Sequence, residues 1–283
     1  MNNEKSVWFI TGANKGLGAA IAREALEKGC KVVAAARNPE SAADVLGDSP
    51  DILRVRLDLT DAEHIRAAAR AALDAFGRVD VLVNNAGYGL MGHFEELSEA
   101  AVRRQMETNV FGPMNLTREL LPAMRARGSG WIVNVSSTSG VKAVEGGSVY
   151  SASKFAVEGW TEGLAIELAP FGIRCMILEP GGMRTDFFNP KTSFAFSDLV
   201  VDAYAAQREA LWNRMMTMGG AVAGDPVRVA KALNAAMNAE HPPLRLLCGK
   251  YAVESVDAHM KKRRDEFEAW REVSAGTDFD PQS

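Results

Sequence analysis

Short apolar runs alternate with longer amphipathic segments along most of the 283-residue chain. Most of the short runs are continuously apolar, which is typical of parallel strands covered on both faces. The longer segments carry apolar residues at helical spacing, which predicts helices between the strands. The pattern therefore predicts an α/β protein with seven strands, at Val7–Thr11, Lys31–Ala36, Ile52–Leu57, Val79–Asn84, Trp131–Val135, Arg174–Leu178 and Arg245–Leu247.

The third predicted strand differs from the others. Leu53, Val55 and Leu57 alternate with Arg54 and Arg56, so this strand has one polar face. A strand of this kind suits the edge of a sheet. We therefore expect a doubly wound parallel sheet of the Rossmann type, with helices on both faces and strand order 3-2-1-4-5-6-7.

Helix-start and helix-stop signals fill the intervals between the strands. Thr60 to Glu63 has the form of a capping box and predicts a helix over Asp61–Phe76. Asp225 followed by Pro226 predicts another helix start. Pro242 and Pro243 prevent that helix from continuing past Glu240.

A glycine-rich turn, Gly12 to Gly18, directly follows the first strand and precedes a helical pattern. In this context such a motif indicates dinucleotide binding, because glycines let the backbone approach the pyrophosphate at a helix N-terminus. The spacing is Gly-x-x-x-Gly-x-Gly rather than the commoner Gly-x-Gly-x-x-Gly. Taken alone, such a glycine cluster is more often an ordinary turn.

Tyr150 and Lys154 form a Tyr-x-x-x-Lys pair, which places a phenol and an ammonium on the same face of a helix. A nearby ammonium favours the phenolate and should lower the pKa of the tyrosine from its usual value of about 10. The tyrosine would then be a usable proton donor or acceptor. Taken alone, the pair is also common by chance on amphipathic helices.

Together these motifs resemble the short-chain dehydrogenase/reductase family over roughly residues 5–250. Thr11 to Gly18 looks like the family's cofactor turn, and Asn84 to Gly87 looks like the segment that follows its fourth strand. Ser136 and Ser137 end a strand, as the family's catalytic serine does. Ser137 is the better candidate, because it stands thirteen positions before Tyr150, the family's usual interval.

The resemblance assigns roles to four residues. Tyr150 would exchange a proton with the substrate oxygen, and Lys154 would hold the nicotinamide ribose. Ser137 would hydrogen-bond the carbonyl oxygen as negative charge develops on it. Asn109 would anchor a water relay that connects Lys154 to solvent.

The second strand ends without an acid, at Ala36, and Arg37 follows. An acid at this position binds the ribose hydroxyls of NAD, whereas Arg37 and Lys15 suit the 2′-phosphate of NADP. A solvated Arg37 is the alternative. Asp58 looks like the residue that the family places against the adenine, with a turn-initiating aspartate as the alternative. The cofactor residues implied are Gly12, Asn14, Lys15, Gly16, Leu17, Gly18, Arg37, Asp58, Leu59, Asn85, Ala86, Gly87, Tyr150, Lys154, Pro180, Gly181 and Thr185.

The stretch from about 185 to 224 corresponds to the family's substrate lid and is rich in aromatic residues and methionine. Such surfaces form adaptable apolar pockets, although a helix over Tyr204–Met218 could instead bury part of them in the core. The sequence from Glu179 to Phe187 looks closest to the 17β-hydroxysteroid-dehydrogenase-like branch. The substrate-pocket residues expected are Tyr88, Ser137, Val144, Met183, Phe187, Phe188 and Met215.

Composition limits the classes of partner. At 283 residues the chain fits one large domain, or a domain with an appended segment, and the 47% hydrophobic content supports a substantial core. Together with the resemblance, this predicts a single catalytic domain over 1–250 and a C-terminal helical extension and tail over 251–283. The net charge of −4 gives no reason to expect nucleic acid or an anionic membrane. The three cysteines and four histidines are scattered, which favours a reduced cytoplasmic protein without a metal site. The basic run Lys261–Arg264 is followed by acids and predicts a solvated helix face.

We therefore expect an NADP(H)-dependent oxidoreductase that transfers a hydride to or from a hydrophobic ketone or secondary alcohol. A non-catalytic NADP-sensing protein on the same fold is the alternative. Such a sensor would be expected to lose the catalytic residues, which this chain retains. The helices carrying Asn109 and Tyr150 form subunit contacts in the family, which implies a homodimer or homotetramer.

Overall fold

The computed structural model of the protein describes residues 5–185, 187 and 193–279. Its strands are β1 (Val7–Thr11), β2 (Lys31–Ala36), β3 (Ile52–Arg56), β4 (Val81–Asn84), β5 (Gly89–Met91), β6 (Gly130–Val135), β7 (Ile173–Pro180), β8 (Phe194–Phe196) and β9 (Arg245–Cys248). Its α-helices are α1 (Gly16–Glu27), α2 (Ala43–Leu46), α3 (Ala62–Phe76), α4 (Glu99–Met106), α5 (Gly112–Arg127), α6 (Ser148–Leu168), α7 (Ala205–Ala221), α8 (Pro226–Met237), α9 (Lys250–Ala269) and α10 (Arg271–Ala275).

Seven of these strands form one parallel sheet in the order β3-β2-β1-β4-β6-β7-β9. This order confirms the predicted doubly wound fold, and β3, with its alternating arginines, is an edge strand as expected. The predicted boundaries were within two residues at each end. The largest differences are that β4 begins at Val81 and that β7 continues to Pro180.

Helices cover both faces of the sheet. On one face, Ile10 packs with residues of α1 and α8, including Ile21 and Leu233. On the other face, Phe9 packs with residues of α3, α5 and α6, including Leu120. Because adjacent residues of a strand point to opposite faces, continuously apolar strands such as β1 supply both cores.

Two short strands form a second, parallel sheet that the sequence pattern did not predict. β5 pairs with β8, placing Gly89 beside Phe194 and Met91 beside Phe196. Backbone hydrogen bonds extend this pairing at both ends, from Gly89 N to the Ser193 carbonyl and from Ser197 N to the Met91 carbonyl. The lid segment is thereby attached to the loop that follows β4.

The helix predicted after Thr60 has a different cap from the one expected. Asp61, not Thr60, is the N-cap of α3, and its carboxylate accepts hydrogen bonds from the backbone N–H groups of Glu63 and His64. The capping-box assignment was therefore wrong by one residue, because the Thr60 hydroxyl instead donates to Asp58. The predicted cap of α8 is confirmed, since Asp225 accepts from two backbone N–H groups.

The C-terminal helix α9 lies largely in solvent, and only Ala252 and Val256 of its residues are buried. The basic run Lys261–Arg264 is exposed, as predicted. The division into a domain over 1–250 and an extension over 251–283 stays a prediction. Within the described part of the chain, no helix combines the length and apolarity needed to cross a membrane.

Candidate active site

Most of the predicted cofactor and catalytic residues lie at the carboxyl ends of β1, β4, β6 and β7, and Arg37 and Asp58 follow the neighbouring strands β2 and β3. In a doubly wound sheet this edge opens into a crevice where the strand order reverses, here between β1 and β4. The crevice is flanked by the turn before α1 on one side and by the N-terminal half of α6 on the other. The predicted residues are therefore brought to a single site.

The turn between β1 and α1 depends on its glycines. Gly12 and Gly16 have φ angles of +68° and +55°, which side-chain-bearing residues rarely adopt. A Cβ atom on Gly18 would lie 2.3 Å from the Gly12 carbonyl oxygen and 2.5 Å from the Asn85 amide nitrogen. Positive φ angles at Gly12 and Gly16 and the close approach of other atoms at Gly18 explain why the sequence has glycine at these three positions.

Hydrogen bonds from Thr11 tie the ends of β1 and β4 together. The Thr11 hydroxyl accepts from the backbone N–H groups of Asn85 and Ala86, at 2.9 and 2.8 Å. The Asn85 side-chain amide donates to the Thr11 carbonyl oxygen at 2.8 Å. The predicted segment Asn85–Gly87 thus forms the floor of the crevice beside the glycine turn.

The N-terminus of α1 fits an anionic group. Its N-cap residue, Lys15, has an extended backbone and no side-chain cap hydrogen bond, and no acid lies in the first turn. Free N–H groups and the positive end of the helix dipole favour a phosphate at such a position. The Lys15 ammonium donates to the Ser193 hydroxyl at 3.0 Å, and the Asn14 amide donates to Ser41. Leu17, by contrast, packs into the core.

Arg37 is exposed directly after the buried Ala36 at the end of β2. Asp58 lies near Arg37, with Leu59 buried beside it. One Asp58 oxygen accepts hydrogen bonds from the Thr60 backbone and hydroxyl, at 2.9 and 2.7 Å. Burial raises the pKa of Asp58, but these hydrogen bonds and the charge of Arg37 outweigh burial and lower it. Asp58 therefore has the contacts of a turn-initiating aspartate, and its adenine contact stays a prediction.

Tyr150 and Lys154 lie on the face of α6 that packs against the sheet, and each is 7% exposed. The Lys154 ammonium donates to the Val135 carbonyl oxygen at 2.8 Å and lies 5.9 Å from the centre of the Tyr150 ring. Ser137, two residues beyond β6, hydrogen-bonds the Tyr150 phenol. The three predicted catalytic side chains are therefore neighbours.

The pKa of Tyr150 is raised to about 12 by burial, although the hydrogen bond from Ser137 pulls it down. The predicted lowering of this pKa by Lys154 was therefore wrong for the protein without its cofactor. Burial also lowers the pKa of Lys154 to about 8, against the opposing charge of Glu158. At neutral pH the site accordingly holds a neutral phenol beside a protonated ammonium.

Asn109 lies in a π-helical turn, Glu107–Phe111, between α4 and α5. Its side-chain amide donates to the Tyr88 carbonyl at 2.9 Å and to the Ser153 hydroxyl at 3.2 Å, and its oxygen accepts from Tyr88 N. Ser153 in turn donates to the Tyr150 carbonyl. Asn109 thus joins the loop after β4 to the catalytic helix, and π-helical turns of this kind occur frequently at functional sites.

An apolar cluster lies beside Tyr150. Phe187 packs at 6.3 Å from the Tyr150 ring and at 5.0 Å from Phe194. Behind these rings, Met91, Phe194, Leu211 and Met215 are buried, and Phe187 and Phe196 are partly buried against them. We call these six residues the apolar wall. Its members from α7 and β8 are part of the predicted lid.

Sequence reasoning did not single out Met91 and Leu211. Met91 lies in the three-residue strand β5, which is too short to show a period, and Leu211 is an ordinary apolar position of a helix. Of the predicted pocket residues, Met215 is in the wall, Tyr88 contacts Asn109, and Val144 is 39% exposed. Phe188 lies outside the described residues.

The loop after β7 returns to the glycine turn. Gly181 N donates to the Cys248 carbonyl, and Met183 forms an isolated bridge with Gly224. Thr185 lies next to Gly16, since a Cβ atom on Gly16 would be 3.4 Å from the Thr185 Cβ. Pro180, Gly181 and Thr185 are therefore adjacent to the crevice, as the resemblance implied.

Comparison with known proteins agrees with this geometry. The family model described as short chain dehydrogenase matches residues 6–195. An oxidoreductase of Botryotinia fuckeliana, BOA17, is 35% identical over 270 residues, which cover 95% of this chain and 97% of that protein. The crystal structure of a short-chain dehydrogenase from Streptomyces avermitilis superimposes with a TM-score of 0.89 at 44% identity, covering 98% of this chain and all of that one.

A second similar structure contains a bound cofactor. It is a short-chain dehydrogenase from Burkholderia cenocepacia in complex with NADP, with a TM-score of 0.72 and 28% identity, covering 95% of this chain and 98% of that one. The glycine turn, the uncapped start of α1 and the neighbouring Ser137, Tyr150 and Lys154 fit such a nicotinamide cofactor. The chain belongs to the short-chain dehydrogenase family of oxidoreductases.

Proposed function

We propose that the protein is an NADP(H)-dependent carbonyl reductase that converts hydrophobic ketones to secondary alcohols, and that also catalyses the reverse reaction. The observation that carries this proposal is the grouping of Ser137, Tyr150 and Lys154 next to the apolar wall. A proton donor, an oxygen-binding hydroxyl and an apolar surface are the groups that reduction of such a carbonyl requires.

In the proposed reaction, the bound nicotinamide supplies the hydride. Tyr150 gives its phenolic proton to the substrate oxygen, and Ser137 donates a hydrogen bond to that oxygen as it becomes negative. Because burial holds the pKa of Tyr150 at about 12, the phenol keeps its proton at neutral pH. This protonation state favours ketone reduction over alcohol oxidation, since oxidation needs the phenolate as base.

The proposed preference for NADP(H) rests on charge. Ala36 ends β2 without a carboxylate, and the exposed Arg37 follows it. A guanidinium can make a charge-assisted, bidentate contact with a 2′-phosphate, which an acid would repel. Lys15 already contacts Ser193, so Arg37 is the stronger candidate for the phosphate.

The proposed substrates are steroid-sized or aryl ketones, because the wall beside Tyr150 is made of phenylalanine, methionine and leucine side chains. We also infer a homodimer or homotetramer, as the family resemblance implies, and a cytoplasmic location, because the scattered cysteines favour a reduced protein.

Oxidation of NADPH and of NADH should be measured with a panel of aryl, steroid and small aliphatic ketones. We expect turnover with NADPH and the bulky ketones. Binding of NADPH without turnover of any carbonyl would instead support the sensor alternative. Efficient use of NADH would contradict the cofactor assignment while leaving the reaction class in place.

Truncating Met215 to alanine should selectively weaken the binding of bulky ketones. The side chain is 5% exposed and belongs to the apolar wall, so its loss should cost about 1–3 kcal/mol of binding to a ketone that reaches it. The specificity constant should fall about 5- to 150-fold for an aryl ketone and less for acetone-sized substrates. Met216→Ala, on the exposed side of the same helix, is the matched control. Equal losses for large and small ketones would show that Met215 does not line the substrate pocket.

A further inference from the structure

A buried cluster of charged side chains lies one helical turn beyond Lys154, away from the crevice. Glu158 follows Lys154 at i+4 on α6, and Glu179 lies on β7. Their side chains are 9% and 2% exposed. Ionised carboxylates are costly to bury unless they are paired. The two glutamates are not used in the reaction proposed above and need a separate explanation.

Arg245, at the start of β9, partly pairs this cluster. Its guanidinium lies 3.1 Å from Glu158, 3.7 Å from Glu179 and 2.5 Å from the half-exposed Glu162. One arginine thus faces three carboxyl groups. The Lys154 ammonium, one helical turn before Glu158 on α6, also interacts with this carboxylate electrostatically.

The two buried carboxyls also interact with each other. The Oε1 atoms of Glu158 and Glu179 are both buried and meet no donor among the described residues. Burial and the charge of Glu158 raise the pKa of Glu179 to about 7. Burial raises the pKa of Glu158 as well, but Glu158 lies closer to Arg245 than Glu179 does, and this pairing favours its ionised form.

The backbone leaves space for this arrangement at Gly140. A Cβ on Gly140 would lie 2.4 Å from the Ser136 hydroxyl oxygen and 3.0 Å from Glu158 Cγ. Glycine at this position therefore lets Glu158 approach the end of β6, where Lys154 donates to Val135. The glutamate, the serine and the lysine form one continuous polar cluster behind the catalytic residues.

We propose that Glu158 is a positioning residue for the reaction proposed above, because its carboxylate, paired with Arg245 and placed one helical turn from Lys154, keeps Lys154 in its charged form. This inference rests on the proposed function only for its kinetic consequence. The other titratable group of the cluster, the Cys248 thiol on β9, is neutral, since burial raises its pKa to about 11.

The direction of the expected pH dependence follows from the charge on Lys154. Lys154 is charged below its pKa of about 8 and loses its charge as the pH rises through that value. Reductase activity should therefore fall on the alkaline side. Removing the negative charge of Glu158 should lower the pKa of Lys154 further and move this fall to lower pH.

The test compares three isosteric variants: Glu158→Gln, Glu179→Gln and Glu162→Gln. For Glu158→Gln, the alkaline limb of the kcat profile should move to lower pH by about half a unit or more. Glu179→Gln leaves Glu158 and its pairing with Arg245 in place, so the alkaline limb of its kcat profile should move less than that of Glu158→Gln. Glu162→Gln also loses a contact with Arg245 but lies two turns from Lys154, and its limb should stay in place. If Glu158→Gln lowers kcat by the same factor at every pH, its role is structural and the proposal is overturned.

A second measurement does not depend on turnover. The folded protein releases the Lys154 proton near pH 8, whereas the unfolded chain holds it to about its ordinary pKa of 10.5. The wild type should therefore gain stability relative to Lys154→Met as the pH rises between these values. In the Glu158→Gln background, the gain should begin at lower pH. Identical pH profiles of stability in the two backgrounds would overturn the proposal, even if no carbonyl substrate were found. A shifted profile in a protein that turns over no carbonyl would count against the proposed function alone.

Discussion

Replacing Tyr150 with phenylalanine should lower reductase turnover by about 10²- to 10⁴-fold, the usual contribution of a positioned proton donor. The phenolic hydroxyl is the group of the site that delivers a proton to the substrate oxygen in the proposed reaction. Its ring packs near Phe187 and against Lys154, and phenylalanine keeps that ring. The fold and the affinity for NADPH should therefore survive.

The measurements are kcat with a good ketone, the dissociation constant of NADPH and the thermal midpoint. Tyr251→Phe is the matched control, because it makes the same chemical change at a tyrosine that is 70% exposed on α9. Near wild-type turnover of Tyr150→Phe would rule out the proposed mechanism. Loss of NADPH binding together with turnover would show instead that the phenol mainly supports the cofactor.

Exchanging the residues at the end of β2 should reverse much of the cofactor preference. The double variant Ala36→Asp, Arg37→Ala removes a charge-assisted hydrogen bond worth about 1.5–3 kcal/mol and adds a carboxylate suited to ribose hydroxyls. The ratio of specificity constants for NADPH and NADH should fall by about tenfold or more. Ala36 is buried at the strand end, so the added aspartate should also cost some stability.

The appropriate control is Arg70→Ala, which removes an exposed arginine from α3 without touching the crevice. It should leave the ratio unchanged, because general loss of positive charge has little effect on a local phosphate contact. An unaltered ratio in the double variant would mean that Arg37 is solvated, and that another residue selects the cofactor.

The main sheet could be predicted from the sequence because its strands are continuous apolar runs between turn signals. The second sheet could not, because three residues are too few to show a period and its strands are about a hundred positions apart. The sequence did not show which of the adjacent residues Thr60 and Asp61 caps α3, because both residue types are good N-caps. In the turn at Asp58 the Thr60 hydroxyl donates to the Asp58 carboxylate, and Asp61 is the residue that accepts from the helix N–H groups.

The candidate site was predicted more fully than its electrostatics. The resemblance to the short-chain dehydrogenase/reductase family selected Asn109, Ser137, Tyr150 and Lys154 as one group, and the fold brings them together. The protonation states were not accessible in the same way. The pKa of Tyr150 depends on how completely the phenol is buried, and burial is a property of the assembled fold rather than of the i, i+4 spacing.

The small parallel sheet formed by β5 and β8 supports part of the apolar wall through backbone hydrogen bonds, whichever side chains the wall presents. Phe194 and Phe196 point into the apolar wall, whereas Ala195 packs on the opposite face with Leu90. The backbone ladder, which does not depend on these side chains, holds the strand in place. Positions 194 and 196 could therefore diverge in size and polarity, during evolution or in a designed library, and change which carbonyl compounds are accepted while the catalytic helix stays unaltered.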